Sequence, residues 1–598
     1  MPRRYQDIPG GLPPLPLLPG TALRAALRHG GYTAKDLRSD ILAGIVVGIV
    51  ALPLSMALAV ASGVAPQYGL YTAIIGGGVI AILGGSMVQV SGPTAAFVVL
   101  LAPISAQYGV GGLVLATFMA GVLLMGLGVA RLGSLIQFVP YPVTTGFTAG
   151  IAVVIATLQL KDFLGLSVAR MPEHYLERVG ALAQALPSFR WQDLVVGAFT
   201  LAILLFWPKI TRKVPAPLIG LTLGGALAAL LTLWLPGFEV ATIQSRFQYT
   251  IGGITHGGIP QLPPLPVLPW NLPGPDGQPL GLSFQLIRAL APSAFAIAML
   301  GAIESLLSAV VADGMTGGSH DPDAELLAQG TGNLVAPFFG GIAATGALAR
   351  TATNIRSGAR SPIAAVVHSL FVLLAVLLLA PVLGYLPMAS LAALLLIVAW
   401  NMSEAKHFVH ALRVAPRSDI LVLLTCFGLT VVFDMVVSVT VGILLAALLF
   451  MKRMAEVSGA RLVDQHPIAT EGLPKDVLIY EVSGPLFFGA AQRAMNALHR
   501  TAMSGVSVMV FDLTSVPAMD ATGLVSLESA IDRLHALGVF VVLGGVQSQP
   551  LRVLARSGLR GGRRKRLAVF RTMDRALAVA RRGSRVGGEK AGMIAATP

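Results

Sequence analysis

Arg350 is the residue whose chemistry most needs explaining. It lies within Gly340 to Arg360, GGIAATGALARTATNIRSGAR, flanked by apolar stretches. An arginine at membrane depth normally faces a cavity or a partner group rather than lipid. The run Ala343 to Gly346 reads as an extended piece, after which Gly346, Ala347 and Leu348 open a short helix. Free N–H groups at a helix start attract anions, and Ala349 and Arg350 complete the first turn with a full positive charge. Recognition of a small anion is the chemistry this stretch predicts. An interfacial arginine lying beside Arg356 and Arg360, its stem in the apolar layer and its head in water, is the alternative that this stretch alone leaves open.

A second stretch has the same plan. Gly84 to Ala96, GGSMVQVSGPTAA, also places a glycine pair, a short β-prone run and a small-residue helix start in that order. Gly92, Pro93 and Thr94 stand at its turn, with Pro93 read as a first-turn residue whose missing N–H costs nothing. Each copy follows an apolar segment with an anomalous residue, Pro53 in Ile41 to Ala61 and Glu304 in Ala291 to Val311. Paired, interrupted segments at matching places in two halves point to the binding site of an inverted-repeat transporter.

The elements that must position these residues are membrane helices. The chain has 598 residues, 55% hydrophobic and 12% charged, and carries many apolar stretches long enough to cross a bilayer. Fourteen segments are expected, near 41–61, 68–85, 93–108, 112–131, 139–159, 192–208 and 215–236, then 285–311, 324–341, 346–357, 362–384, 388–401, 418–436 and 437–456. A repeat of seven makes the two halves opposite in topology. The net charge of +14 does not imply nucleic acid, because the basic residues are spread over short connections. Arg131, Lys209, Arg356, Arg360, Lys406, Arg413, Arg417, Lys452 and Arg453 all follow even-numbered segments, which predicts both termini on the cytoplasmic side of a multi-pass inner (plasma) membrane protein.

Four regions are expected: a cytoplasmic arm at 1–39, a transport domain at 40–456, a small α/β domain at 457–562 and a basic mobile tail at 563–598. Strands are expected at Val477–Val482, Val506–Leu513 and Val539–Leu543, and helices at Ala490–Arg500, Thr522–Leu537 and Leu551–Gly558. Cys426, the single cysteine, reads as an inert core thiol, so neither a disulfide within the chain nor a thiolate metal site is expected. His256, His320, His368, His407 and His410 read as scattered surface histidines. No enzyme constellation, metal site or phosphate loop is found, and no cofactor is expected beyond a coupling proton or sodium ion.

Five ordered motifs, Asp40-Ile-Leu-Ala-Gly44, Ala51-Leu-Pro53, Gly69-Leu-Tyr71, Gly92-Pro-Thr94 and Arg350-Thr-Ala-Thr-Asn354, resemble the SulP sulfate-permease family of anion transporters, relatives of prestin and pendrin. Phe511-Asp-Leu513 and Met519-Asp-Ala-Thr-Gly523 resemble the STAS domain these proteins carry. The resemblance covers roughly 36–560. It implies a polytopic helical fold, a 7+7 inverted repeat of core and gate domains moving as an elevator, and a homodimer. It implies an anion site between the third and tenth segments that includes Pro53, Leu54, Leu58, Thr94, Ala349 and Arg350, to which the helix-start reading adds Gly92, Pro93, Gly346, Ala347 and Leu348.

Departures from the family pattern shape the functional expectation. Many sulfate-type members have glutamine at the position of Leu54, and sodium-coupled bicarbonate members place hydroxyl and carboxylate ligands where Glu304, Ser308 and Leu348 stand here. Losing a hydroxyl at 348 weakens a sodium cage, whereas a half-buried glutamate can carry a proton. The expected function is therefore secondary active transport of bicarbonate, sulfate or a dicarboxylate, proton-coupled through Glu304. The alternatives are a sodium-coupled bicarbonate symporter, a passive anion channel and a membrane-anchored STAS signalling protein. In the STAS-like loop Ala521 follows Asp520, where switch proteins of this type carry a phosphorylatable serine. Asp520 and Thr522 therefore read as helix caps, with phosphorylation of Thr522 the regulatory alternative.

Overall fold

The computed structural model describes residues 19–28, 32–134, 139–168, 171–172, 174–211, 214–251, 254–433, 435–457, 459–463, 473–474, 476–487, 505–559 and 566–586. The helix expected at Ala490–Arg500, the start of the N-terminal arm and the end of the tail lie outside them. The chain divides into two compact units, Met1–Ile443 and Leu444–Pro598.

In the first unit the main helices are α1 (Ala34–Ala61), α2 (Pro66–Leu83), α3 (Ala95–Val129), α4 (Tyr141–Phe163), α5 (Trp191–Ile210) and α6 (Ala216–Trp234). Their counterparts in the second half are α7 (Phe284–Thr316), α8 (Pro322–Val335), α9 (Leu348–Arg356), α10 (Ile363–Leu383), α11 (Met388–Met402), α12 (Arg417–Val432) and α13 (Met435–Val457), the last of which continues past the unit boundary at residue 443. Every one of the fourteen expected segments falls on one of these helices. The segments expected at 93–108 and 112–131 form the single run α3, turned at Gly109, where φ is +70° and a side chain would collide with the backbone of Gly274. Among the described residues, ten helices are long and apolar enough to cross a membrane.

Local chemistry sets the helix starts. Thr33 and Asp36 form a reciprocal capping box at the start of α1, satisfying two otherwise orphaned amides. At the other end of the Asp40 motif, the Asp40 carboxylate accepts from the Arg360 and Ser361 amides and the Ser361 hydroxyl, tying α1 to the approach of α10. Pro53 does not interrupt α1, nor does Pro292 interrupt α7; both helices are continuous. The broken elements are instead the stretches leading into α3 and α9.

Packing sorts the helices into two groups. α1 lies against α10 and α2, α3 against α7 and α8, and α9 against α7 and α1. α4 packs on α11 and α12, and α5 on α6 and α11; α13 joins α12 through hydroxyl bonds from Ser438 to Cys426 O and from Thr430 to Ser438.

The first unit holds two short antiparallel pairs, β1 (Ser91–Gly92) with β4 (Thr345–Gly346) and β2 (Gln248–Ile251) with β3 (Ile254–Gly257), and the second unit carries a five-stranded sheet in the order β5 (Gly459–Val463), β6 (Val477–Ser483), β7 (Val508–Ser515), β8 (Phe540–Gly544) and β9 (Leu567–Val569). β5 is antiparallel to β6 and the remaining pairs are parallel. Because side chains alternate along a strand, Tyr480, Phe511 and Val541 form a core with the helix Ala521–Ala536 on one face, while Ile479, Val510 and Val542 pack on the helix Met573–Val586 on the other. The domain therefore runs beyond the boundary expected at 562. Residues expected in a mobile tail supply β9 and a helix, because Ala576, Leu577 and Ala580 form an apolar stripe that the sheet buries.

Candidate anion-binding site

The two stretches singled out by their matching plan meet in the interior. The short strands β1 (Ser91–Gly92) and β4 (Thr345–Gly346) pair antiparallel, with Ser91 opposite Gly346 and Gly92 opposite Thr345. α3 and α9 begin immediately after them, at Ala95 and Leu348. No side chain caps either start, so first-turn amides of both helices converge on one place with the positive ends of their dipoles. Pro93 precedes this start rather than occupying the first turn, because Thr94 is extended (φ −122°, ψ 158°) and takes the N-cap position.

Arg350 is 2% exposed. Its Nη2 donates to the carbonyl of Pro93, and its Nε and Nη1 have no protein partner. The guanidinium lies so close to Gly92, where φ is +154°, that a Cβ there would stand 2.7 Å from Nη1. Glycine at 92 is what lets the charged head sit between the two helix starts. The arginine is thus buried inside the protein, which disposes of the interfacial alternative.

Glu304 faces the same place from α7 and accepts from Thr94 Oγ1 at 2.8 Å. No ion pair joins it to Arg350 among the described residues. Ser308, one turn on, donates to Thr351 Oγ1 at 3.3 Å, and that hydroxyl in turn accepts from the Val90 amide. Ala347 is buried, and its amide donates to Val90 O. Leu348 and Ala349 are exposed. On α1, Pro53 and Leu58 are buried and Leu54 is half-buried, and that helix packs against α9. In the second unit Asp520 alone caps its helix, accepting from the Gly523 amide at 2.7 Å, while Thr522 is exposed.

What holds the two extended segments was not apparent from the motifs. α8 presents Glu325, Gln329 and Asn333 on one face at a spacing of four, each no more than 1% exposed. Glu325 accepts from the Gly85 and Ser86 amides and from Gln89 Nε2. Gln329 donates to Ser91 Oγ in β1 and to Glu325. Asn333 accepts from the Ala344 amide at 2.8 Å and donates to its carbonyl at 2.7 Å. One helix therefore grips both crossovers, satisfying backbone groups that no lipid could satisfy. The i, i+4, i+8 spacing of three polar residues in an apolar segment was the signal available in the sequence. A π-turn at Thr72–Gly76 in α2 adds a further brace, with the Thr72 hydroxyl bonded to both the amide and the carbonyl of Ile342.

Two histidine readings are corrected. His368 on α10 is 1% exposed. His320 is also tucked in, with Nδ1 2.6 Å from Asp313 Oδ2. His320 lies in the connection between α7 and α8, whereas His368 lies within α10 on a face that only the fold shows to be buried. Cys426 is buried and free, as expected of a core thiol.

The sequence profile of the sulfate permease family matches residues 37–426, and that of the STAS domain matches residues 469–576. The chain belongs to the sulfate permease family. It is 40% identical to YvdB of Bacillus subtilis (strain 168), a protein provisionally named a sulfate transporter, over 90% of this chain and 97% of that one. It is 30% identical to the bicarbonate transporter BicA of Picosynechococcus sp., over 83% of this chain and 87% of that protein. Among solved structures, the transmembrane domain of a cyanobacterial BicA matches 69% of this chain and 98% of its own length, with a TM-score of 0.57 and 26% identity. The structure of murine Slc26a9 in its inward-facing state covers 93% of each chain with a TM-score of 0.79 at 19% identity, a likeness of fold. Members of the sulfate permease family are transporters, not enzymes, and their helical membrane fold with a C-terminal STAS domain is the fold seen here.

Proposed function

We propose that this sulfate permease family member is a secondary active transporter of a small oxyanion, bicarbonate or sulfate, with a dicarboxylate as the larger alternative substrate. The observation that carries the reading is the β1–β4 pairing, which sets two uncapped helix starts and the Arg350 guanidinium around one point. Shared amide dipoles and a single full charge attract an anion without trapping it, as a carrier requires. The names of YvdB and BicA support sulfate and bicarbonate as the first substrates to test. Pro53, Leu54, Leu58, Gly92, Pro93, Thr94 and 346–350 form the proposed site, Leu54 and Leu58 giving it an apolar wall.

Transport proceeds by an elevator motion of the group containing α1–α3 and α7–α10 against the group containing α4–α6 and α11–α13. Both termini are cytoplasmic and the protein works as a homodimer in the plasma membrane. Coupling runs through a proton on Glu304: its carboxylate shares a hydrogen bond with Thr94 at the start of α3, so its protonation state bears on the helix that holds the anion. A sodium cage is disfavoured by Leu348, which offers no oxygen. Uptake of labelled bicarbonate, sulfate and fumarate into proteoliposomes, with sodium and proton gradients imposed in turn, tests the whole reading. Accumulation driven by a proton gradient, lost in Glu304→Gln, is the expected result; Glu304→Gln vesicles that keep the wild-type pH dependence would remove Glu304 from the mechanism.

A further inference from the structure

The arginine-rich end of the second unit forms ordered structure that the transport reading does not use. Residues 566–586 contain six arginines and one acidic residue, Asp574. They build β9 and the helix Met573–Val586, whose Met573, Ala576, Leu577 and Ala580 pack into the core on one face of the sheet. That stripe turns the arginines to solvent. Arg575 and Arg582, two turns and roughly 10 Å apart along the axis, share the opposite face of the helix, and both are exposed. Arg571, in the bend before the helix, is exposed as well. None of these three forms an ion pair among the described residues.

A surface that meets only water mixes charges of both signs, and the other face of the same domain does so. The helix Ala521–Ala536 carries Arg533 with Glu528 and Asp532, whereas Met573–Val586 sets four arginines against Asp574 alone. Like charges gathered on one face repel one another, a cost that a negatively charged partner removes.

A bilayer containing anionic lipid is the nearest extended negative surface. α13, whose residues 436–454 are apolar and long enough to cross a membrane, ends at Val457, and β5 begins at Gly459. One residue spans at most about 3.6 Å, so the sheet starts where the membrane helix stops. Five strands at about 4.8 Å put the far edge of the sheet, at β9, only roughly 20 Å from β5. The domain is thereby held at the membrane surface, where a weak attraction acts at high effective concentration. Each lysine or arginine close to an anionic lipid surface contributes about five-fold in partition.

We propose that the arginine face of the helix Met573–Val586 docks on anionic phospholipid headgroups of the membrane that holds the chain, with Arg575 and Arg582 as the principal contacts. Docking sets one face of the STAS domain against the bilayer and leaves the helix Ala521–Ala536 turned away from it. The inference stands on the membrane fold and the second unit alone, and is independent of which anion is transported.

The experiment uses the full chain in nanodiscs of phosphatidylcholine, alone or with increasing phosphatidylglycerol, each containing a headgroup-borne contact quencher. A fluorophore on Ala578→Cys, an exposed position between Arg575 and Arg582, reports on the arginine face, and one on Val525→Cys, 59% exposed on the opposite helix, is the control. Cys426 is 0% exposed and stays unlabelled. Quenching at position 578 should rise with phosphatidylglycerol, be absent in phosphatidylcholine alone and at position 525, and disappear in high salt. Arg575→Gln with Arg582→Gln should lower the bound-to-free ratio at least ten-fold, toward the about 25-fold that two cations supply, while Arg575→Lys with Arg582→Lys keeps it within about three-fold. Quenching that is equal in the two lipids, equal at the two positions or unchanged in the glutamine variant would overturn the proposal. An RNA oligonucleotide that abolishes the quenching at a phosphate concentration well below that of the lipid would assign the face to nucleic acid and overturn it too.

Discussion

Asn333→Ala tests whether the buried ladder on α8 is what keeps the two helix starts in register. Asn333 accepts from the Ala344 amide and donates to the Ala344 carbonyl, immediately before β4, and also donates to Gln329 O. Asn333 and Ala344 are each 0% exposed, so truncation strands two buried backbone groups at about 1–3 kcal/mol each. The total, about 2–6 kcal/mol, corresponds at its lower end to a roughly 30-fold loss in the population that holds β4 against β1. The assay is binding of labelled substrate anion to purified protein, alongside thermal unfolding. The expected result is an affinity at least ten-fold weaker and a lower unfolding temperature. Asn333→Asp keeps the acceptor for the amide but turns a charged oxygen toward two carbonyls, so it should do no better than alanine. Wild-type affinity and melting in either variant would refute the idea that this side chain positions the site.

Other consequences follow from single contacts. Gly92→Ala places a methyl group 2.7 Å from Arg350 Nη1 and forces an unfavourable φ, so uptake should fall at least ten-fold while the protein still inserts; near-normal uptake kinetics would show that the guanidinium need not lie there. Thr94→Val removes the hydroxyl that donates to Glu304 and should shift the pH profile of uptake, which a purely structural threonine would leave in place. In the STAS domain, hydroxyls of Ser507 and Ser584 hold the Asp476 carboxyl below the usual carboxylate range. A depressed folded value contributes stability that is complete above the unfolded value, about 3.9, and disappears as pH falls through the folded one. The stability difference between wild type and Asp476→Asn, followed by domain unfolding from pH 6 to 3, should therefore shrink with acidity; a constant difference would contradict the linkage.

Much of this was legible because membrane helices and half-helices leave strong marks. Apolar length gave the helices, and the repeated glycine-pair plan gave the two starts that β1 and β4 bring together. Arg350 stood out because a charge in apolar text demands a reason. The polar ladder of Glu325, Gln329 and Asn333 was missed because each residue alone resembles ordinary helix surface, and only the fold shows that their shared face is buried. His368 was misread for the same reason. Pro53 suggested a break that did not form, since a helix can pass through proline when its neighbours tolerate the lost bond. The extent of the second domain was underestimated because arginines at 571, 575, 581 and 582 obscured the alanine and leucine stripe at 576, 577 and 580.

Binding of the transported anion to purified wild-type and Arg350→Gln protein, with unfolding temperature measured on the same samples, bears most directly on the central site. If the guanidinium and the two helix starts together hold the anion, Arg350→Gln loses at least ten-fold in affinity while its folded fraction is retained, and the substrate no longer raises its unfolding temperature. Wild-type affinity in a folded Arg350→Gln protein would mean that the anion is held elsewhere.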